Sequence, residues 1–212
     1  MDKIFVNVHY HRELVEEFVK QSGYADKVTL LFEDELLGTA GTLVKYRDLY
    51  NDAPLMLIHA DNLSVFSFDS FYQFHLAHRH QGQISMMTFT TDQPKNCGIV
   101  ELDDNGKLLA FHEKVEQPPG DQANAAIFWL EPALIASLPT SVTEFSLDVL
   151  PQQLGNIWCW HNTVYHRDIG NIESLSLAQI DAPNEIDGPV SKVWLDYWDN
   201  VVEVPNKKRF EG

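Results

Sequence analysis

Apolar residues recur along this chain with two periods, and their alternation sets out an α/β order. Ile4–Val8 is a short apolar run that reads as a strand. From His11 onward the pattern turns helical, with Leu14, Val15, Phe18 and Val19 on one face and Glu13, Glu16, Glu17 and Lys20 on the other. Val28–Phe32 is a second strand. Gly38-Thr39-Ala40-Gly41 breaks the pattern and opens a helix with Leu43, Tyr46, Leu49 and Tyr50 inward. Leu55–Ile58 is unbroken apolar sequence, as suits a strand covered on both faces, and it stops at His59-Ala60-Asp61-Asn62. Residues 68–80 read as a helix and Ile84–Thr90 as a strand. This alternation predicts a sheet with right-handed crossovers and ligands beyond the carboxyl ends of its strands.

The middle of the chain changes character. Gly98–Leu102 and residues 108–111 flank Asp103-Asp104-Asn105-Gly106, and Asn-Gly between apolar runs signals a hairpin. Residues 125–130 read as a strand, and Pro132 opens a short helix as a proline at the first helical position does. Residues 147–154 read as helical. Residues 157–160 and 164–165 suggest a second hairpin, ending at Arg167-Asp168-Ile169-Gly170, and 172–180 a final helix. With no internal repeat and no long linker, 1–180 reads as one domain. Residues 181–212, with Trp194, Tyr197 and Trp198, read as a C-terminal tail that docks on that domain or on a partner.

Composition narrows the function classes. The 212 residues carry a formal net charge of -16, and 44% are apolar, within the range of a globular core. Nucleic acid and anionic membrane surfaces call for a basic face, so neither is expected as a partner. A small phosphorylated ligand remains compatible where a metal ion or a local Lys or Arg offsets the field. Cys97 and Cys159 are far apart and form no CxxC pair, and no run is long enough to span a bilayer. The chain therefore reads as soluble and cytoplasmic, with self-association into a homo-oligomer left open.

The candidate chemistry lies at strand ends. Asp61 follows the apolar run at its carboxyl end, and Asp168 closes a later strand. A carboxylate there is costly unless it meets a cation or several N–H donors. Magnesium takes one or two carboxylates together with phosphate oxygens and water. Each aspartate alone reads more readily as a turn or helix cap; two of them, one in each half of the chain, can converge on one ion. Glu113-Lys114 ends the second hairpin strand, where a lysine acts as a point charge on phosphate or merely forms an exposed edge pair. Gly38-Thr39-Ala40-Gly41 leaves N–H groups at a helix start that suit a polar or anionic ligand, or is a plain loop with two glycines. His75, His78 and His80 read as a solvated helix face, and Trp158 and Trp160 as packing.

These pieces stand in a recognisable order. Leu37-Gly38-Thr39-Ala40-Gly41-Thr42-Leu43 resembles the LGTAGAL stretch of mannose-1-phosphate guanylyltransferases and their relatives, the sugar-1-phosphate nucleotidyltransferases. Ile58-His59-Ala60-Asp61 is similar to the strand ending in Gly-Asp that carries the family's first metal aspartate, and Cys97-Gly98-Ile99-Val100 to its Tyr-Gly-Val-Val. Phe111-His112-Glu113-Lys114 resembles F-x-E-K, Asn124-Ala125-Ala126-Ile127-Phe128 resembles N-A-G-I-Y, and Tyr165-His166-Arg167-Asp168-Ile169-Gly170 resembles W-x-D-I-G-T.

The resemblance implies an α/β, Rossmann-like nucleotidyltransferase domain with a mixed, mostly parallel sheet. It implies an enzyme that joins a nucleoside triphosphate and a sugar-1-phosphate to give a nucleotide sugar and pyrophosphate. Guanylyl transfer to a mannose-type sugar is its more specific form. Asp61 and Asp168 would hold Mg2+, Lys114 would meet the sugar phosphate, and Gly98, Glu113 and Asn124 would border the sugar. Gly38, Thr39 and Gly41 would lie against the nucleotide. The family opens with a strand and a G-G-x-G-T-R-L-x-P loop around the triphosphate. This sequence begins at what resembles the second strand, so the expected sheet lacks its amino-terminal strand and loop, and the neighbours of that strand are expected to be exposed. Ala60 and Cys97 stand where the family has glycine and tyrosine. These departures point to the alternatives of a non-catalytic relative that binds nucleotide sugars or regulates, or an inactive fragment.

Overall fold

The nine residues of Gln122–Leu130 are apolar on nearly every position, and the sheet is organised around them. The computed structural model describes residues 3–50 and 53–185. In chain order the elements are β1 (Ile4–Val8), α1 (Arg12–Gln21), β2 (Val28–Phe32), α2 (Gly38–Lys45), β3 (Leu55–Ile58), β4 (Asn62–Val65), α3 (Phe68–His78), β5 (Ile84–Thr90), β6 (Gly98–Leu102), β7 (Leu108–Glu113), β8 (Gln122–Leu130), α4 (Pro132–Ser137), β9 (Ile157–His161), β10 (Tyr165–Asp168) and α5 (Ile172–Glu185). The aromatic tail expected around Trp194 to Trp198 lies outside the described residues.

One edge of β8 pairs antiparallel with β5, and the other is shared between β3 and β6. β9 pairs parallel with β5, and β7 closes the Asn105-Gly106 hairpin with β6. Thus β3, β5, β6 and β9 run one way, and β7 and β8 the other. The sheet is mixed, as expected, and the reversal of β8 makes most of its ladders antiparallel. β1 and β2 pair parallel with each other in a separate two-stranded ribbon.

Alternate side chains of β8 enter two cores. Phe128 and Leu130 join Leu43, Met86, Leu134, Phe145 and Leu150 on the face covered by α2, α4 and residues 145–153. Ala125, Ile127 and Trp129 join Phe71 and Met87 under α3. A strand buried on both faces needs this near-continuous apolar sequence. The same reading fails for β3, whose residues are only half-buried, with Ile58 45% exposed. β3 has a ladder to β8 and no second ladder among the described strands.

α2 begins at Gly38, so the glycine stretch opens the helix as expected and is not a plain loop. Three further expectations need correction. Leu49, expected inward, is exposed. α1 buries no residue fully, despite its segregated apolar face. The second hairpin does not form: β9 stays in the main sheet, while β10 pairs with β4, whose alternation of polar and apolar residues is only four positions long. Buried Asn162 makes this corner. Its N–H donates to Thr88 O at 2.7 Å, and its Nδ2 donates to Val65 O and Tyr165 O.

The histidines of α3 also differ from expectation. His75 is wholly buried, with Nδ1 2.9 Å from Ser85 Oγ and Nε2 2.8 Å from Glu131 Oε1. Arg79 donates to the other Glu131 oxygen at 2.8 Å. A polar network on α3 thereby ties it to β5 and to the end of β8. Periodicity cannot reveal this, because Ser85 and Glu131 are distant in sequence.

β8 also carries an irregularity. Met86 pairs with Phe128 but Thr88 pairs with Asn124, so residues 125–127 bulge opposite Met87. Ala126 at the centre is left-handed, with φ 52°. Asn124 Oδ1 accepts its N–H at 2.9 Å and holds the bulge. A Cβ in this conformation costs about 1 kcal/mol.

Two outcomes follow. Ala126→Gly should raise stability in urea unfolding by roughly 0.5–1 kcal/mol, because the relief of strain exceeds the added freedom of the unfolded chain. Burial holds the His75 imidazole below its ordinary value, against the opposing pull of Glu131. As pH falls, the unfolded chain therefore takes up this proton before the folded one does. Stability from this group is present above about pH 6.5 and is lost below it. The urea midpoint should fall between pH 7.5 and pH 5.5, and His75→Gln should flatten that fall.

Candidate active site

Asp61 and Asp168 are brought together by the β4–β10 ladder, in which Asn62 pairs with Asp168 and Leu63 with Arg167. The ladder continues past its last pair, since Ile169 N–H donates to Asp61 O at 2.7 Å. The chain then turns at Gly170, whose N–H donates to Asp168 Oδ1 at 2.8 Å. A methyl group on Gly170 would lie 3.1 Å from Asp168 Oδ1 and 3.3 Å from Asp61 Oδ2. Both carboxylates therefore face one small space that the absence of a side chain keeps open. Asp168 does not cap the last helix; Asn171 does, accepting from Ser174 N–H at 2.9 Å.

Neighbouring groups fix the two strands without neutralising the aspartates. Alternation along β10 puts His166 with Asp168 and sets Tyr165 and Arg167 on the opposite face. His166 Nδ1 lies 2.6 Å from Ser64 Oγ on β4. Burial holds its imidazole down at about 4, against the pull of Asp168. It is thus neutral near pH 7 and adds no positive charge beside the carboxylates. On the other face, Asp181 of α5 accepts from Tyr165 Oη at 2.8 Å and from Arg167 Nη2 at 2.5 Å. The Asp61 loop is bolted to the β8 bulge: His59 N–H donates to Ala126 O at 3.3 Å and Asn62 Nδ2 to Ala125 O at 3.2 Å.

Glu113 and Lys114 lie at the end of β7. Lys114 is left-handed, with φ 49°, and its N–H donates to Cys97 O at 3.2 Å. Its ammonium is 3.9 Å from Glu113 Oε1 on a largely exposed side chain, so it stays available to a phosphate. Gly98 pairs with Glu113, and a methyl group there would stand 2.5 Å from the Phe111 ring and 2.8 Å from Glu113 Oε2. The glycine thus makes room for two neighbouring side chains. Cys97 responds both to this corner and to Asp168. Burial raises its thiol above the ordinary value and the Thr91 hydroxyl opposes that; Asp168 and Glu113 raise it further, and Lys114 lowers it. Cys97 therefore lies within electrostatic reach of all three charges, as a protonated thiol. Asn124 uses its Oδ1 within the bulge.

Gly38, Thr39 and Gly41 form a different corner. The helix-start N–H groups of Ala40 and Gly41 do not stand open to an anion, because both donate to Thr143 O, at 2.8 and 3.2 Å. Thr39 Oγ1 accepts from Phe145 N–H at 2.8 Å. On the other side, the buried carboxylate of Glu33 accepts from Thr42 Oγ1 at 2.6 Å and from Leu37 N–H at 3.3 Å. The sequence pattern for Glu33, an acidic residue straight after an apolar strand, is the one that singled out Asp61.

The two aspartates fit a hard divalent cation that takes its remaining ligands from phosphate and water. Among the described residues, no group of three or more His, Cys, Asp or Glu side chains forms a complete metal cage. No helix among them is long and apolar enough to cross a membrane.

Comparison with known proteins adds a family to this geometry. The family model described as nucleotidyl transferase matches residues 1–185. A probable mannose-1-phosphate guanylyltransferase 1 of Oryza sativa subsp. japonica is 30% identical over 156 residues, which cover 71% of this chain and 43% of that protein. The mannose-1-phosphate guanylyltransferase catalytic subunit beta of Dictyostelium discoideum is 25% identical over 176 residues, 80% of this chain and 48% of that protein. The chain spans about half the length of these curated relatives. HddC from Yersinia pseudotuberculosis superposes with a TM-score of 0.72 at 21% identity, covering 84% of this chain and 77% of that one. A putative glucose-1-phosphate thymidylyltransferase from Bacillus anthracis gives 0.76 at 17% identity, covering 88% and 78%. Both likenesses are likenesses of fold. With its family match running through all the described elements, the chain belongs to the nucleotidyl transferase family.

Proposed function

We propose that this chain acts in nucleotidyl transfer from a nucleoside triphosphate to a sugar-1-phosphate, with Asp61 and Asp168 as the ligands of one Mg2+. The observation that carries the reading is the convergence of the two carboxylates on the space beside Gly170. In the reaction an oxygen of the sugar phosphate attacks the α-phosphorus, the bond from that phosphorus to the bridging oxygen breaks, and pyrophosphate leaves. Magnesium, when bound, would supply charge neutralisation on the phosphate oxygens.

The chain's own residues supply position and charge. Lys114 attracts and orients the sugar phosphate from the end of β7. Glu113, Gly98 and Asn124 border the sugar. Gly38, Thr39 and Gly41 shape the nucleotide side through their packing on residues 143–145. Neutral His166 and the Asp181 clamp keep Asp168 oriented without consuming its charge. Guanine and a mannose-type sugar are the proposed substrates, in line with the names of the curated relatives. Binding of a nucleotide sugar without turnover is the second reading. It draws on Ala60 and Cys97, which depart from the family pattern.

Pyrophosphate release from GTP and mannose-1-phosphate with Mg2+ tests the first reading. Asp61→Asn and Asp168→Asn should each lower kcat/KM by about 100-fold or more, and chelation of the metal should abolish turnover. Full activity in the double variant removes the metal assignment. Calorimetric binding of GDP-mannose by a wild-type chain that releases no pyrophosphate supports the second reading instead.

A further inference from the structure

The reading above assigns no task to Glu33, although its surroundings are unusual for a carboxylate. It follows β2 directly and is only 4% exposed. Its backbone is fixed on both sides: the N–H donates to Val8 O at 2.9 Å, and the C=O lies 2.9 Å from His9 Nδ1. The carboxylate oxygens accept from Thr42 Oγ1 and from Leu37 N–H. Both partners are neutral donors, which compensate the burial of a carboxylate poorly unless their geometry is held. These two donors bracket the first turn of α2, residues 38–41. The far side of the turn is held by Thr143 O and Phe145 N–H. The turn is thus clamped between the end of β2 and the segment before the core turn at Phe145–Val149.

We propose that Glu33 is a positioning residue for the nucleotide subsite, fixing the Gly38-Thr39-Ala40-Gly41 turn through Leu37 and Thr42. The assignment rests on the reading of that turn as the nucleotide side of the site. Glu33 does not touch the nucleotide; it acts through the register of the turn. Its removal therefore weakens nucleotide binding and leaves the sugar-phosphate corner at Lys114 unaffected. Glu33→Gln keeps one acceptor for Thr42 but brings an amide NH2 into competition for the place that accepts Leu37 N–H. Thr42→Val removes the donor from the other side.

Calorimetric titration of wild type, Glu33→Gln, Thr42→Val and the double variant with Mg-GTP, and separately with mannose-1-phosphate, tests this. The expected result is GTP binding about tenfold weaker in each single variant, with no further loss in the double and unchanged sugar-phosphate binding. Equal GTP affinity in wild type and Glu33→Gln overturns the assignment, as does an equal loss for both ligands. A wild-type chain that binds no nucleotide overturns the nucleotide reading itself, and the assignment with it. Hydrogen exchange separates the clamp from any ligand. The Ala40 and Gly41 amides should exchange faster in ligand-free Glu33→Gln than in wild type, and unchanged exchange overturns the clamp.

Discussion

Strand β8 lies between β5 on one edge and β3 and β6 on the other, and its side chains fill both cores. The rest of the molecule depends on that double burial. It fixes the direction of β3, so that Ile58 ends opposite Ile127 and the chain leaves the sheet beside the bulge. It fixes β5, on which β9 pairs. It brings β6, and the β7 hairpin with it, to the remaining edge. The strand ends that carry Asp61, Glu113 and Lys114 inherit their places from these pairings.

Regular pairing does not extend into the site, and the departures have chemical consequences. At the bulge the carbonyls of Ala125 and Ala126 turn away from the β5 ladder and accept from Asn62 and His59. The strained backbone of Ala126 is thus coupled to the loop that carries Asp61, and left-handed Lys114 stands at the end of β7. Strain of this kind persists only where surrounding contacts over-determine the backbone. Here the Asn124 side chain and the two flanking ladders provide that restraint. In a strongly acidic chain, two carboxylates stand together beside Gly170, with a neutral His166 on the face of Asp168 and Lys114 exposed at the end of β7.

Much of this was legible in the residues. Local apolar periods marked β1, α1, β2, β3, α3, β5, β8 and β9, because burial of one face or both leaves a regular trace. The Asn105-Gly106 hairpin was legible because a tight turn has its own residue chemistry. The ordered short motifs, more than any one carboxylate, singled out Asp61, Asp168, Lys114 and the Gly38 turn. The unbroken apolar run of β3 misled in one respect, since the strand has a single ladder among the described strands and its residues are only half-buried.

Tertiary pairing decided the rest. Asp61 and Asp168 are more than a hundred positions apart, and only the β4–β10 ladder turns them towards one space. β4 itself, Asn-Leu-Ser-Val, alternates polar and apolar residues over only four positions, too short a run to mark a strand, and its place in the fold comes from β10 beside it. Buried Asn162 sent the chain to β4 when local sequence suggested a hairpin. Ser85 and Glu131 converted an apparently solvated histidine into a core residue. Thr143 took the helix-start N–H groups that a ligand was expected to use. Sequence determines which segments must bury apolar faces and which turns can form, because those demands are local. The polar partners that a buried or converging side chain meets are set by contacts between distant segments, and those exist only once the sheet has closed around β8.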